Sequence, residues 1–223
     1  KEQYQNKIKK APYKLTYQTK NHRGVYSFCM CPGGYVINSA SENNSLVVNG
    51  MSNYLRDSNT ANSAIVVTVS KKDYGEGLFA GVKYQQELEK KAYLKGNGKI
   101  PVEYYQDFLN KKITKKETDF AILGAYTFTD LNDILPVTIS DSIKEAMIEF
   151  NKKIKNFSDS NPLLAGVETR TSSPIKIIRD EKLESNIKGI YPCGEGSGYA
   201  GGITSSAIDG IKVAEEIIKK YYY

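Results

Sequence analysis

The sequence predicts an α+β fold: a mixed or antiparallel sheet with flanking helices, closed by a separate strand–glycine turn–helix element. Three observations predict it. Short alternating or β-branched runs crowd the first third of the chain. Helical spacing of apolar residues replaces them from Phe79 to Phe157. Five glycines then fall within Gly194–Gly202, directly before a last amphipathic run. Strands followed by helices, rather than a regular alternation of the two, point to the α+β class.

The first dozen residues are polar and lysine-rich and read as a linker or frayed end, residues 1–12. Residues 13–185 read as the α+β domain. Tyr13–Gln18, Gly24–Phe28 and Tyr35–Asn38 alternate as strands do, with turn chemistry at Cys31-Pro-Gly-Gly34 between the last two. Leu46–Asn49 forms a further strand, and Asn49-Gly50-Met51-Ser52 is a hairpin-turn signal. Ala64–Val69 is nearly continuous and β-branched, so burial on both faces is expected. Phe79–Tyr93 is helical, and Pro101–Asn110 reads as a short helix or loop–helix. Asp133–Pro136 reads as irregular. In Asp141–Phe157, Ile143, Ala146, Met147, Phe150 and Ile154 share a face, and Ser140 or Asp141 is the expected cap. Ala165–Arg170 and Ile175–Arg179 are strand-like. The closing element, residues 186–223, starts with a strand at Gly189–Tyr191 and ends in a helix over Thr204–Lys220.

Composition narrows the function. The 223 residues carry a formal charge of +6, and their lysine pairs are scattered rather than gathered into a stripe. That is a solvated surface and not a nucleic-acid footprint. No run of about 18 apolar residues marks a membrane span. Three cysteines make no disulfide framework, so the cytoplasm is the expected compartment. The pattern of a Ser-His-Asp hydrolase, a phosphate-loop NTPase or an HExxH protease is absent.

The glycine turn is the strongest site signal. Gly196, Gly198 and Gly201 spell G-x-G-x-x-G before a helix start, where unpaired N–H groups and the positive dipole end favour a phosphate or an electron-rich ring edge. The complete dinucleotide fingerprint needs a further strand with an acidic residue about 20 residues on. Here Glu216 stands at that distance, inside a helix. The turn therefore reads as a closing element that docks onto a ligand held mainly elsewhere, or as a tight turn whose glycines serve helix packing alone. The last helix offers an apolar face of Ile203, Ala207, Ile208, Ile211, Ala214 and Ile218, whose partner is expected to lie largely outside this chain.

Several blocks together resemble a family of bacterial FAD-dependent dehydrogenases. They are Gly189–Gly210, Ser27-Phe-Cys-Met-Cys-Pro-Gly-Gly34, Val48–Ser52, Arg56, Ala61–Ala64 and Glu168–Pro174. The resemblance runs from about Tyr13 to Ile218. It implies a flavoprotein with an N-terminal Rossmann-like unit that grips the ADP half of FAD, an inserted substrate domain, and a returning last strand and helix. It places Gly194 and Glu195 near the ribityl and pyrophosphate. It places Gly198, Tyr199, Ala200, Gly201, Gly202, Ile203 and Thr204 around the flavin, with the helix start at the pyrimidine edge. A strand–glycine turn–helix near Lys1 is absent. This chain alone is therefore expected to be inactive and to purify without flavin, and the Rossmann-like region is its expected partner.

Other residues keep two readings. Cys29-Met30-Cys31, with Gly33 and Gly34 after it, is a thiol pair beside the flavin or a pocket lining of small hydrophobes. A metal site with Cys193 and His22 has the wrong spacing, and no metal is expected. Arg170 could clamp a carboxylate, with Glu168, Thr171, Ser172 and Ser173 around it, or the segment is a polar loop that closes its own turns. The intact protein is thus expected to move a hydride or electron pair from a small-molecule substrate held near Cys31 and Arg170, with NAD(P)H left open as a partner. The competing expectation is a non-catalytic binding module for an anionic small molecule or RNA. A purely structural domain is the third.

Overall fold

The computed structural model describes residues 14–116 and 122–222. The expected linker over residues 1–12 lies outside these. The fold is α+β, with three small sheets and five α-helices among the described residues. The chain divides into two compact units. One comprises Lys1–Val69 and Gln86–Thr169, the other Ser70–Gln85 and Arg170–Tyr223.

The first unit holds all three sheets. Strands β1 (Leu15–Gln18), β2 (Gly24–Pro32) and β5 (Ala61–Val67) form an antiparallel sheet in the order β1-β2-β5. Strand β3 (Gly34–Asn38) pairs antiparallel with β4 (Val48–Ser52) and parallel with β7 (Ile122–Leu123). Strand β6 (Ile100–Tyr104) lies between β8 (Tyr126–Phe128), which is parallel to it, and β9 (Leu163–Ala165), which is antiparallel. Helix α4 (Val137–Lys153) turns Ile139, Ile143, Ala146, Met147 and Phe150 inward at spacings of three and four. They join Leu46, Ile100, Val102, Tyr105, Phe108, Leu131 and Ile134 in two adjoining apolar clusters. Helix α2 (Ala80–Gly96) adds Ala92 and also buries Leu88, and α3 (Tyr105–Asn110) carries Tyr105 and Phe108.

Several expectations need correction. Asn49-Gly50 is not a turn: both residues sit inside β4, opposite Ile37 and Val36. At Gly50 the Asn62 side-chain amide occupies the space a Cβ would need, so a larger residue there has to displace it. Strand β5 is an edge strand, so its residues are half-buried rather than covered on both faces. Pro101–Tyr104 is strand and not helix, since the backbone of Pro101, Val102 and Glu103 is claimed by β8 and β9. Helix α4 is not capped by Ser140 or Asp141. It starts one turn earlier, after Pro136, whose φ of −56° already suits a helix start. Ile139 thereby reaches the core, and Ser140 is buried within the first turn.

The second unit contains α1 (Lys71–Tyr74), the start of α2, and α5 (Ile203–Tyr221). Ala165–Arg170 and Ile175–Arg179 are not strands beyond Ala165; only an isolated Arg179–Ser185 bridge forms. Gly189–Tyr191 is not a strand either. A single extended segment needs a ladder partner, and no described residue supplies one. Its backbone instead turns at Gly189, whose φ is +84° and whose N–H donates to the Glu184 carboxylate at 2.6 Å. The glycine turn and the last helix of the closing element do form. No helix of the described residues is long and apolar enough to cross a membrane.

Candidate functional site

In the second unit, residues 192–199 are tied to α5 by one half-buried ion pair. The Arg179 guanidinium donates from Nη2 to Asp209 Oδ1 at 2.7 Å and from Nη1 to Asp209 Oδ2 at 2.9 Å. Nη1 also reaches the Pro192 carbonyl at 2.7 Å. The same plane lies 3.6 Å from the centroid of the Tyr199 ring, whose hydroxyl accepts the Arg179 backbone N–H. Asp209 Oδ2 further accepts the Gly194 N–H at 2.9 Å. Arginine suits this place because its flat fork bonds a carboxylate twice and stacks on a ring at once. The Arg179 hydrogen bonds, then the Gly194 N–H, hold the Asp209 carboxyl down at about 2. The Asp209 hydrogen bond holds the guanidinium above its usual range.

The turn itself is internally bonded. Gly198 N–H donates to Glu195 O, Tyr199 N–H to Gly194 O, and Ser173 Oγ–H to Gly196 O. Gly198 has φ +84°, and a Cβ there would lie 2.6 Å from Ile175 O. Gly196 and Gly201, in contrast, face open space. Helix α5 starts at Gly202, whose N–H donates to Ser205 Oγ. The first intrahelical bond runs from Ser206 N–H to Gly202 O, so the N–H groups of Ile203, Thr204 and Ser205 precede the ladder. These residues are exposed, Ile203 at 94 %. The mouth of the helix is open.

The residues expected around a cofactor thus divide. Gly201, Gly202, Ile203 and Thr204 gather at this mouth. Glu195 is exposed beside it in sequence. Gly194, Gly198 and Tyr199 are engaged in holding the turn, and Ala200 is half-buried between them and the helix start. Ser173 braces the turn, while Arg170 and Ser172 are exposed and Thr171 half-buried. The clamp from Arg179 to Asp209 was missed in the sequence. Its signal was a lone carboxylate on the otherwise small and apolar start of α5, Thr204 to Ile211.

Helix α5 shows two faces. Ser206, Asp209, Gly210, Val213, Glu216 and Ile217 are covered to varying degree within the unit. On the opposite side Ile203, Ala207, Ile208, Ile211, Ala214 and Ile218 are exposed.

The second group of candidates lies in the first unit. The pairing of β2 with β5 shifts between Phe28 and Cys31, a β-bulge, and Cys29 there has φ 54°. Met30, Cys31 and Pro32 form one wall of an open depression of about 860 Å³. Residues 49–56 form the other, with Tyr54 99 % and Leu55 71 % exposed. Gly33 and Gly34 are buried beneath it: the backbone of Arg56 fills the space beside Gly33, and Cys31 Cβ that beside Gly34. Desolvation, then the charges of Glu168 and Cys31, push the Cys29 thiol up. The Glu168 carboxyl is itself raised by desolvation, although the residue keeps an exposed edge. Among the described residues no group of three or more His, Cys, Asp or Glu is placed to hold a metal.

Comparison with known proteins adds the family. The profile of the family described as "FAD-dependent protein, C-terminal domain-like" matches residues 1–171. That range contains the bulge and the depression and stops short of the glycine turn and α5. An uncharacterised protein of Clostridium beijerinckii is 47 % identical over 222 residues, covering 96 % of this chain and 42 % of its own length. The chain therefore spans about two fifths of that relative. It belongs to the family of C-terminal domains of FAD-dependent proteins.

Proposed function

We propose that this chain is the C-terminal part of an FAD-dependent oxidoreductase of the dehydrogenase type, and that the start of α5 faces the flavin. One observation carries the reading: the amide-lined mouth of α5 is open at the end of the glycine turn. Partial positive charge at a helix start suits an electron-rich ring edge and stabilises negative charge on it. FAD, when bound, supplies hydride or electron-pair transfer. The residues of this chain supply position and field. Gly201, Gly202, Ile203 and Thr204 would lie against the ring edge. Arg179 and Asp209 hold the turn that presents them. The rest of the grip on FAD, including a Rossmann-like unit, comes from polypeptide outside this chain. The greater length of the Clostridium relative is consistent with that. The exposed stripe Ile203–Ile218 of α5 is the face that would pack against it. The substrate side of the reaction is assigned to the first unit, at the bulge that carries Cys29 and Cys31, with the cytoplasm as its compartment.

The test compares full-length protein containing this chain with its Gly201→Val variant. The unmodified protein is expected to carry stoichiometric FAD, with absorbance near about 450 nm. The variant is expected to match the unmodified protein in thermal stability once both are stripped of flavin, since a Cβ at Gly201 meets open space, and to retain little flavin when it is supplied. A full-length protein without flavin overturns the reading. Undiminished flavin in the variant overturns the placement at α5.

A further inference from the structure

The backbone that carries the two cysteines departs from a regular strand. In a regular strand, residues two apart sit about 6.8 Å apart with parallel Cβ directions. A disulfide needs its Cβ atoms about 3.5–4.5 Å apart. Here the pairing of β2 breaks between Phe28 and Cys31, and Cys29 takes a left-handed backbone with φ 54°. A non-glycine residue in that region persists only where the surrounding fold imposes it. The Cys31 thiol bends back on its neighbour, with Sγ 3.6 Å from the Cys29 carbonyl oxygen. Gly34 leaves room for that bend: a Cβ on it would lie 2.6 Å from Cys31 Cβ. Both thiols are reduced. Cys29 is exposed and Cys31 lines the depression, so a small disulfide can reach them.

We propose that Cys29 and Cys31 form a reversible disulfide across the bulge, a two-electron redox pair built into β2. The step is thiol–disulfide exchange with a low-molecular-weight disulfide such as oxidised glutathione. The Cys31 thiolate attacks one glutathione sulfur, the glutathione S–S bond breaks, and one glutathione leaves as thiolate. The Cys29 thiolate then attacks the Cys31 sulfur and expels the second glutathione. Two S–H protons pass to the two leaving thiolates; the protein loses two electrons and glutathione gains them. This inference goes beyond the flavin reading and stands without it.

The experiment uses the full-length protein in glutathione buffers of graded redox poise, quenched in acid, alkylated and digested with trypsin. One peptide, Gly24–Arg56, carries both residues. In oxidising buffer it is expected two hydrogens lighter and unalkylated. After reduction it is expected to take two alkyl groups. The folded protein is expected to pair at a more reducing poise than the same protein in urea. Three results overturn the proposal: both thiols stay alkylatable in oxidising buffer, either sulfur links instead to Cys193 or keeps its own glutathione, or the unfolded chain pairs as readily as the folded one.

Discussion

Arg179 and Asp209, 30 residues apart, close on each other through two parallel hydrogen bonds of 2.7 and 2.9 Å, with side chains only 9 % and 12 % exposed. This pair joins the segment before the glycine turn to the second turn of α5. Through Gly194 and Pro192 it also fixes the entry of the turn. These contacts hold the entry of the turn against the second turn of α5.

Removing one partner leaves a shielded charge without its counter-charge. Asp209→Asn is therefore expected to cost about 2 kcal/mol. Arg179→Lys keeps the charge but loses the fork and the stacking on Tyr199, and is expected to cost nearly as much. The pH dependence has a definite sign. The folded carboxyl titrates at about 2, below its ordinary 3.8, so its contribution is complete above the ordinary value and is lost as pH falls through about 2. Urea unfolding should thus show a gap between the natural protein and Asp209→Asn at about pH 6 that narrows towards about pH 2. A gap that stays constant would mean that the ion pair contributes nothing.

The glycines of the turn answer to different constraints, and two substitutions separate them. Gly198→Ala must accommodate φ +84° and a Cβ 2.6 Å from Ile175 O and 3.0 Å from Lys176 Cα. A loss of about 2 kcal/mol or more is expected. Gly196→Ala meets nothing within 4 Å and should stay within about 0.5 kcal/mol of the natural protein. Thermal unfolding checks both, and equal effects would contradict this division. If Gly196→Ala folds normally yet weakens flavin retention in the full-length protein, the space above Gly196 is needed by the ligand and not by the turn.

Local pattern carried a large part of this architecture. The spacing of Ile143, Ala146, Met147 and Phe150 located the buried face of α4, and the apolar stripe read on α5 is exposed among the described residues. Where a distant residue decides, the pattern misleads. Asn49-Gly50 has the composition of a turn, but it lies inside β4, with the Asn62 side chain packed against Gly50. Strand β6 hides behind Pro101 and a buried Glu103, neither of which suits an inner strand. The bulge at Cys29 and the clamp between Arg179 and Asp209 depend on contacts across the fold and leave almost no local trace. The glycine turn was visible as a turn before a helix, but spacing alone could not say that Gly198 serves packing while Gly196 and Gly201 face open space.

Glu103 is 1 % exposed, in the middle strand of its sheet. One carboxylate oxygen accepts the Leu131 N–H at 2.9 Å, and the other has no hydrogen-bond partner among the described residues. Burial first, then the charges of Asp130 and Asp107, push the carboxyl up to about 7 against the pull of the Leu131 N–H and Lys144. The unfolded chain ionises Glu103 near 4.5, so below that pH both states are protonated and the group adds no pH dependence. Between about 4.5 and 7 the unfolded chain releases its proton and the folded chain does not, so stability falls as pH rises, and it levels above about 7. The whole change is on the order of 3 kcal/mol. Glu103→Gln keeps an acceptor for Leu131 and cannot ionise. It is expected to match the natural protein at about pH 4.5 and to be more stable at about pH 8. Urea midpoints at the two pH values decide it. A variant that is less stable at both would show that the ionised carboxylate is well solvated, and that Glu103 is held in the core by an interaction the amide cannot replace.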